Sequence, residues 1–322
     1  MISSASNGGT QVAMSTFART AFGHASYASF RPTYSPSLFR TILAYHNERG
    51  GHGTALDMGC GHGIMARELA PHFDTVHAID PAAGMVEQAR TLLNSILNIH
   101  VRQAGSEDLS FLPDDSVDLV VAGQAAHWFD FGRAWPELAR VVRSGGSLAF
   151  AGYKDHVLVG HPEASEAFRA FSYGEGEVAP GIEGMGRFWE FPGRGILRDS
   201  YAAIQPPASE WEGVRRLAWD PDAGAAAAAG VEGVPQEVLW QRHAMTLGQL
   251  EGYVRTYSAY SNWREAHPQR RRRAEGGEGD VVDAMFDAVV DAVPAWRVRG
   301  EAWRDVEVDA VWGSVILLAR RR

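Results

Sequence analysis

Short apolar runs alternate with amphipathic stretches through the middle of the chain, between residues 54 and 153. Such runs predict buried strands, and stretches whose apolar positions recur every three or four residues predict helices. Strands that alternate with helices in short units imply parallel strands joined by right-handed crossovers. The predicted strands are Ala55–Met58, Thr75–Ile79, His100–Gln103, Val117–Ala122 and Ser147–Gly152, and the predicted helices are Ile64–Pro71, Ala82–Leu97 and Gly132–Arg143, the last ended by Ser144-Gly145-Gly146.

This alternation ends after Tyr153. Further on, Asp220–Gly233 is an alanine-rich segment, and helical spacing returns over Thr246–Trp263 and Val281–Val293. Two apolar runs separated by Gly313-Ser314 predict a terminal β-hairpin. We therefore expect a doubly wound, mostly parallel, seven-stranded α/β sheet with a C-terminal antiparallel hairpin. The expected organisation is a flexible tail (1–15) and one domain (16–322), divided into a cofactor-binding core (54–153), a substrate-covering insertion (154–300) and the hairpin (301–322).

The most informative motif follows the first predicted strand. Asp57 ends that strand, and Gly59, Gly61 and Gly63 follow at alternate positions. Glycines permit positive φ and carry no β-carbon that would obstruct a ligand lying on the backbone. The spacing Asp-x-Gly-x-Gly-x-Gly differs from the dinucleotide pattern Gly-x-Gly-x-x-Gly, and its leading acid suits an ammonium group. Both features favour S-adenosyl-L-methionine as the ligand.

Polar residues also follow the next two predicted strands. Asp80 can accept hydrogen bonds from both ribose hydroxyls of an adenosine ligand. Capping of the following helix is the alternative, and the two roles are compatible. Ser106 and Glu107 are candidates for the adenine edge, with a plain surface turn as the other interpretation.

The fourth predicted strand leads into a polar and aromatic stretch, Gly123–Asp130. Gln124 is assigned to the cofactor. His127 is the catalytic candidate, because an imidazole titrates near neutral pH and can orient an acceptor or take its proton. A packed, hydrogen-bonded histidine is the alternative. Trp128 and Phe129 are expected to form wall and core.

Several stretches of the chain carry a family resemblance: Met14–Phe17, Arg31–Tyr34, Asp57–Gly63, Ala126–Phe131, Gly152-Tyr153, Tyr173-Gly174, Trp189–Arg194 and Tyr253–Tyr260. Together they resemble the class I methyltransferases, and from about Met14 the chain resembles the fungal trans-aconitate methyltransferase family. The resemblance implies methyl transfer from S-adenosyl-L-methionine to a small molecule, with a carboxylate of a small organic acid as the acceptor.

Within these motifs, arginines suit the clamping of carboxylates. Arg31, Arg194 and Arg255 are the candidates. His62 and Phe191 depart from the family pattern, in which proline and glutamine are usual, and Phe191 falls in the acceptor region. Tyr27 and Arg31 are assigned to the cofactor side, and Trp189, Arg194, Arg255 and Tyr260 to the substrate.

Charge and composition limit the classes of partner that the protein is expected to bind. The chain has 39 acidic and 30 basic residues and a net charge of −9, and its one basic run, Arg270–Arg273, is followed at once by acids. Nucleic acid is therefore not expected as a partner. No apolar run of about 18 residues indicates a membrane span, no secretory pattern is seen, and one cysteine, Cys60, excludes an intramolecular disulfide. We expect a cytoplasmic protein without a metal, monomeric or weakly self-associating.

Two other functions remain open at this point. One is a protein of the same fold that binds a hydrophobic metabolite, methylating a hydroxyl or acting without methyl transfer, as a pericyclase or a ligand-sequestering module. The other is a nicotinamide-dependent oxidoreductase. Arginines around the acceptor would indicate an acid, whereas a wholly aromatic lining would indicate a hydrophobic metabolite.

Overall fold

The computed structural model describes residues 33–221 and 235–322. The predicted tail (1–15), Tyr27, Arg31 and most of the alanine-rich segment (222–233) lie outside the described residues. The strands are β1 (Thr54–Met58), β2 (Thr75–Asp80), β3 (Ile99–Gln103), β4 (Val117–Gly123), β5 (Val142–Leu158), β6 (Glu177–Ala179), β7 (Ile182–Glu183), β8 (Trp211–Trp219), β9 (Arg242–Thr246) and β10 (Glu307–Arg321). The helices are α1 (Pro36–His46), α2 (Ile64–Leu69), α3 (Ala83–Leu93), α4 (Phe131–Val141), α5 (Pro162–Tyr173), α6 (Gly193–Arg198), α7 (Leu247–Val254), α8 (Ser258–Ala266), α9 (Val281–Asp291) and α10 (Pro294–Arg297).

Eight of these strands form one sheet. Seven follow the order β3-β2-β1-β4-β5-β10-β8, and β9 pairs with β10. The five strands from β3 to β5 are parallel, which confirms the predicted doubly wound α/β fold. The order reverses at β1, because β2 and β3 lie on one side of it and β4 and β5 on the other. The division into one domain with three parts stays a prediction.

Helices cover both faces of the parallel strands. Alternate residues of β1 enter two different apolar clusters, Ala55 on one face and Leu56 on the other, and both are fully buried. Leu38 and Ile42 of α1, one helical turn apart, pack on the first face, and Leu138 of α4 packs on the second. Burial on both faces explains why the core strands are continuous apolar runs.

The C-terminal strands pair antiparallel, as expected, but the predicted hairpin is wrong. β10 is one strand of 15 residues, paired on one edge with β5 and on the other with β9 and then β8. The register shifts between Trp312 and Ser314, where Gly313 alone faces two residues of β5, Lys154 and Asp155. Gly313-Ser314 therefore lies opposite a bulge of β5, within a continuous strand, and forms no turn. A Cβ on Gly313 would lie 2.7 Å from Pro221, which explains the glycine.

Two other predicted elements differ from the observed ones in their boundaries. β5 has 17 residues, includes Ser144-Gly145-Gly146 and continues beyond Gly152. The single helix predicted over Thr246–Trp263 is two helices, because α7 ends after Val254 and Tyr257 adopts an extended backbone before α8. The helix predicted over Val281–Val293 is confirmed as α9.

Across residues 33–221 and 235–322, no helix is both long and apolar enough to cross a membrane. In the same two segments, no group of three or more His, Cys, Asp or Glu side chains is arranged to hold a metal ion.

Candidate cofactor and acceptor site

A cavity of about 260 Å³ lies at the carboxyl ends of β1, β2 and β4. It is beside the reversal of the strand order, where open α/β sheets bind ligands. Its wall has two halves from different parts of the chain. The loop half consists of residues at or after the ends of β1 to β4: Asp57, Gly61, Asp80, Ser106, Glu107 and Phe129. The insertion half consists of residues from the end of β5 onward: Lys154, Trp189, Glu190, Arg194, Tyr253 and Tyr257.

Three glycines shape the loop after β1. Gly59, Gly61 and Gly63 have φ of 67°, 55° and 88°, in the region that favours glycine. A Cβ on Gly59 or Gly63 would collide with Ala125 or Leu93, so packing requires these two. A Cβ on Gly61 would meet no heavy atom of residues 33–221 or 235–322 within 4 Å. Bare backbone is therefore available to a ligand at Gly61.

Asp57 brings a fully buried carboxyl to this loop. Its Oδ2 accepts a hydrogen bond from the Ala66 N–H at 3.0 Å, at the start of α2. Its Oδ1 is buried and has no hydrogen-bond partner among the residues that the structure describes. Burial raises the pKa of the Asp57 carboxyl to about 7, opposed by the Ala66 N–H and reinforced by the charge of Asp80. A buried acceptor without a partner is unfavourable, so a hydrogen-bond donor on a ligand would stabilise it. A cationic donor would also keep the Asp57 carboxylate ionised.

Asp80 joins the end of β2 to the glycine loop. Its Oδ2 accepts from the Gly61 N–H at 3.0 Å, and its Oδ1 accepts from the Ala82 N–H at 2.8 Å. The second contact is the local turn expected of a capping acid, although α3 itself begins at Ala83. Asp80 thus holds the glycine loop and lines the cavity beside it.

Ser106 and Glu107 both line the cavity, after β3. The Ser106 hydroxyl donates to Glu107 Oε1 at 2.6 Å, and the Asp130 N–H donates to the same oxygen at 3.0 Å. Glu107 therefore ties the loop after β3 to the start of α4. Ser106 and Glu107 lie in a turn, as the second interpretation expects, and this turn lines the cavity.

Gln124 also lines the cavity, but its side-chain amide contacts the protein itself. Its Nε2 donates to the Tyr153 carbonyl and its Oε1 accepts from the Tyr153 N–H, both at 2.8 Å. Both functional groups of the amide thus bridge β4 to β5. The Gln124 backbone N–H also donates to the Ala151 carbonyl, at 2.8 Å, so Gln124 positions the wall of the cavity.

His127 lies in a short 3₁₀ turn, Ala126–Trp128, between the two halves. It lines the cavity and is buried, with its ring centre 4.9 Å from that of Trp128. The imidazole is therefore placed where an acceptor would meet it.

Arg194 and Trp189 form one wall of the insertion half. The Arg194 guanidinium is buried and lies 4.2 Å above the Trp189 ring. Its Nη2 contacts Asp155 and Tyr173, and its Nε donates to the Tyr173 hydroxyl at 2.9 Å. Burial alone would raise the pKa of the Asp155 carboxyl, but Arg194, Tyr173 and Arg198 outweigh it and hold that pKa below its ordinary value. Asp155 is thus the anionic partner of Arg194.

The chain is similar to known proteins over nearly its whole length. Residues 56–150 match a family model described as a methyltransferase domain. A candidate S-adenosylmethionine-dependent methyltransferase of Saccharomyces cerevisiae, CRG1, is 27% identical over 94% of this chain and 96% of the yeast protein. A candidate methyltransferase of Dictyostelium discoideum is 30% identical over 83% of each chain. The solved structure of a candidate type II methyltransferase from Anaeromyxobacter dehalogenans has a TM-score of 0.61 and 26% identity, covering 90% of this chain and 98% of that chain.

The chain belongs to the S-adenosylmethionine-dependent methyltransferases. Its methyl donor is S-adenosylmethionine, and the loop half of this methyltransferase fits that molecule. Among the described residues, the Asp57 Oδ1 is buried without a partner and would suit an ammonium group, and Gly61 presents bare backbone. Asp80 places a carboxylate beside them at the end of β2, where a ribose would lie. These descriptions of relatives name a reaction and no acceptor.

The expectation that Arg255 and Tyr260 bind the acceptor is corrected. The Arg255 side chain is 9% exposed and donates to Glu251, Asp280 and Asp283 at 2.7–2.9 Å. The Tyr260 hydroxyl donates to the same Asp280 at 2.6 Å. Neither residue lines the cavity. Both instead hold α7, α8 and the start of α9 together.

Sequence reasoning missed several residues of the insertion half of the methyltransferase. Lys154 was overlooked because β5 was expected to end at Gly152, before it. Tyr253 and Tyr257 stand four residues apart, a spacing typical of one helix face, and both line the cavity across the break between α7 and α8. That spacing, within the motif Tyr253–Tyr260, is the sequence signal from which their place in the cavity wall could have been predicted.

Proposed function

We propose that this methyltransferase methylates a carboxylate oxygen of a small organic acid held by Arg194. The observation that carries the proposal is a buried guanidinium on the insertion half of a cavity whose loop half fits the methyl donor. The resemblance of several sequence motifs to the trans-aconitate methyltransferases also supports an organic acid as the class of acceptor.

Arg194 has a donor left for such an acid. Its Nε and Nη2 are engaged, but its Nη1 makes no hydrogen bond to any residue in the described part of the chain. Stacking on Trp189 fixes the plane of the guanidinium. A fixed guanidinium edge recognises a carboxylate through charge-assisted hydrogen bonds.

S-adenosylmethionine supplies the methyl group: an acceptor lone pair forms the new bond to the methyl carbon, and the electrons of the broken carbon–sulfur bond stay on the sulfur of S-adenosylhomocysteine. A carboxylate needs no general base for this step, since it already carries the lone pair. The protein's contribution is alignment and the exclusion of water. In this proposal His127 orients the acceptor by a hydrogen bond, and Trp128, Tyr253 and Tyr257 exclude water.

The test is transfer of radiolabel from methyl-labelled cofactor to a panel of carboxylic acids, phenols and alcohols. Arg194→Gln is expected to lower kcat/KM for the accepted acid by about 10- to 100-fold, mainly through KM, because a charge-assisted hydrogen bond is lost. Arg187→Gln is the matched control, because Arg187 is 58% exposed and pairs only with Glu183.

Two outcomes would contradict the proposal. One is transfer to hydroxyl compounds and to no acid. The other is consumption of a bound compound without a new methyl group, which would favour the ligand-binding or pericyclase function.

A further inference from the structure

The guanidinium groups of Arg194 and Arg198 share a single carboxylate. Arg194 Nη2 contacts Asp155 Oδ1, and Arg198 Nε lies 3.3 Å from Asp155 Oδ2. Arg198 is 42% exposed and lies 4.1 Å above the Tyr173 ring. Within this cluster two positive charges face one negative charge. The excess is one charge, and the solvent screens part of it.

Lys154 is the other basic side chain of the insertion half among the described residues, and it is compensated. Its Nζ lies 2.6 Å from Asp220 Oδ2 and donates to the Arg198 carbonyl at 2.9 Å and to the Ser200 hydroxyl at 3.3 Å. An ammonium group has three donors. All three of these donors are therefore used within the protein.

The rest of the insertion half does not suit a second anion. Glu190 brings a carboxylate to the same wall, one helical turn before Arg194. The remaining large side chains there are aromatic or aliphatic: Trp189, Leu197, Tyr253 and Tyr257. A second carboxylate in this half would lose its water without meeting a second uncompensated cation, which is unfavourable.

We infer, on the basis of the proposed function, that the acceptor is a monocarboxylic acid with an uncharged, apolar body rather than a di- or tricarboxylic acid. Its one carboxylate meets Arg194, and its body lies against the aromatic side chains.

The decisive comparison uses two acids of equal length. Octanoate and octanedioate differ only in the second carboxylate, and trans-aconitate adds a tricarboxylic acid. For the full chain, kcat/KM by label transfer and Kd by calorimetry with S-adenosylhomocysteine present are expected to favour octanoate by at least about tenfold over both others. Equal or tighter binding of octanedioate or trans-aconitate would overturn the inference.

Asp155→Asn tests the cause of this preference. It keeps the shape of the side chain and removes the compensating charge, so the preference for octanoate over octanedioate is expected to fall by about tenfold. Asp199→Asn is the matched control, because it removes an equal charge from an exposed residue nearby, and the preference is expected to stay unchanged.

A second variant protects this test against a folding defect. Asp220→Asn uncovers Lys154, and because the Asp220 carboxylate is 40% exposed its loss is better tolerated. It is expected to shift the preference in the same direction, with the Kd of S-adenosylhomocysteine unchanged. An unaltered preference in both variants would overturn the electrostatic explanation. Methylation of diacids over monoacids refutes this inference alone, whereas methylation of no acid refutes the proposed function.

Discussion

The two halves of the cavity are built by different means. In the loop half, the ligand-facing groups are fixed by the backbone: Gly61 has positive φ, and Asp57 and Asp80 are held by main-chain N–H groups. In the insertion half, Arg194 is held by the side chains of Asp155 and Tyr173, and Lys154 by the Asp220 and Ser200 side chains and the Arg198 carbonyl. A substitution in the loop half therefore disturbs the backbone of the loops, whereas one in the insertion half mainly changes contacts between side chains. The loop half is constrained by the fold, and the insertion half mainly by its own side chains.

Filling the loop at Gly61 should have the largest effect. Gly61→Arg places a long side chain in the space that a cofactor would occupy, and we expect calorimetry to show at least a 1000-fold loss of S-adenosylhomocysteine affinity, about 4 kcal/mol. Gly160→Arg is the matched control, because Gly160 also has positive φ and open space but lies outside the cavity. The two variants are expected to lower Tm by similar amounts, but only Gly61→Arg is expected to lose affinity for S-adenosylhomocysteine. Equal affinities of the two variants would contradict the assignment of the loop to the cofactor.

Removing the Asp80 carboxylate should have the next largest effect. Asp80→Ala deletes the ribose acceptors and frees the Gly61 N–H, so the affinity for S-adenosylhomocysteine should fall by about 100-fold. Asp74→Ala is the control, an exposed acid just before β2. An affinity within twofold of wild type would show that Asp80 only supports the turn.

The pH dependence of cofactor binding should report on Asp57. With a pKa of about 7 without ligand, the carboxyl must lose a proton to pair with an ammonium group. Affinity for S-adenosylhomocysteine should therefore fall by about tenfold between pH 8 and pH 6. Asp57→Asn should flatten this profile, and a wild-type profile that is already flat would refute the pairing.

The same group has the opposite effect on the stability of the ligand-free protein. Its pKa is raised from 3.8 when folded, so the folded state binds the proton more tightly. Its stabilising contribution is fully present below pH 3.8 and is lost as the pH rises through about 7. The rise in Tm caused by S-adenosylhomocysteine should accordingly be larger at pH 8 than at pH 6.

The smallest effect should be that of Arg194→Gln, in the insertion half, on cofactor binding in the loop half. Cys60, the chain's one cysteine, can report this binding, because it lines the cavity beside Gly61. Burial raises the pKa of its thiol. Saturating S-adenosylhomocysteine should slow its alkylation several-fold in wild type and in Arg194→Gln alike, because a thiol must ionise and be reached to react. Loss of protection in Arg194→Gln would show that the two halves are not separable, and the Gly61→Arg variant should show no protection at all.

The loop half was predictable from the sequence because its signals are local. Asp57, the alternate glycines and Asp80 each follow an apolar run, and their spacing alone places them at one edge of a sheet. The insertion half was less predictable because its contacts are distant in the chain. Arg255 donates to Asp280 and Asp283, which lie more than twenty residues away in the chain. Nothing in the motif around Arg255 distinguishes it from Arg194. The predicted hairpin was wrong for a similar reason, since only the pairing with β5 and β8 shows that the strand continues through Gly313.

The position of β10 has a consequence for the order of assembly. Strands β1 to β5 can pair with one another as soon as they are synthesised, whereas in the described chain β8 and β9 pair only with β10, which follows them. A nascent chain must therefore carry β8, β9 and one edge of β5 unpaired until β10 leaves the ribosome, a period in which such edges invite aggregation. Chaperone demand during synthesis should accordingly concentrate on residues 211–306.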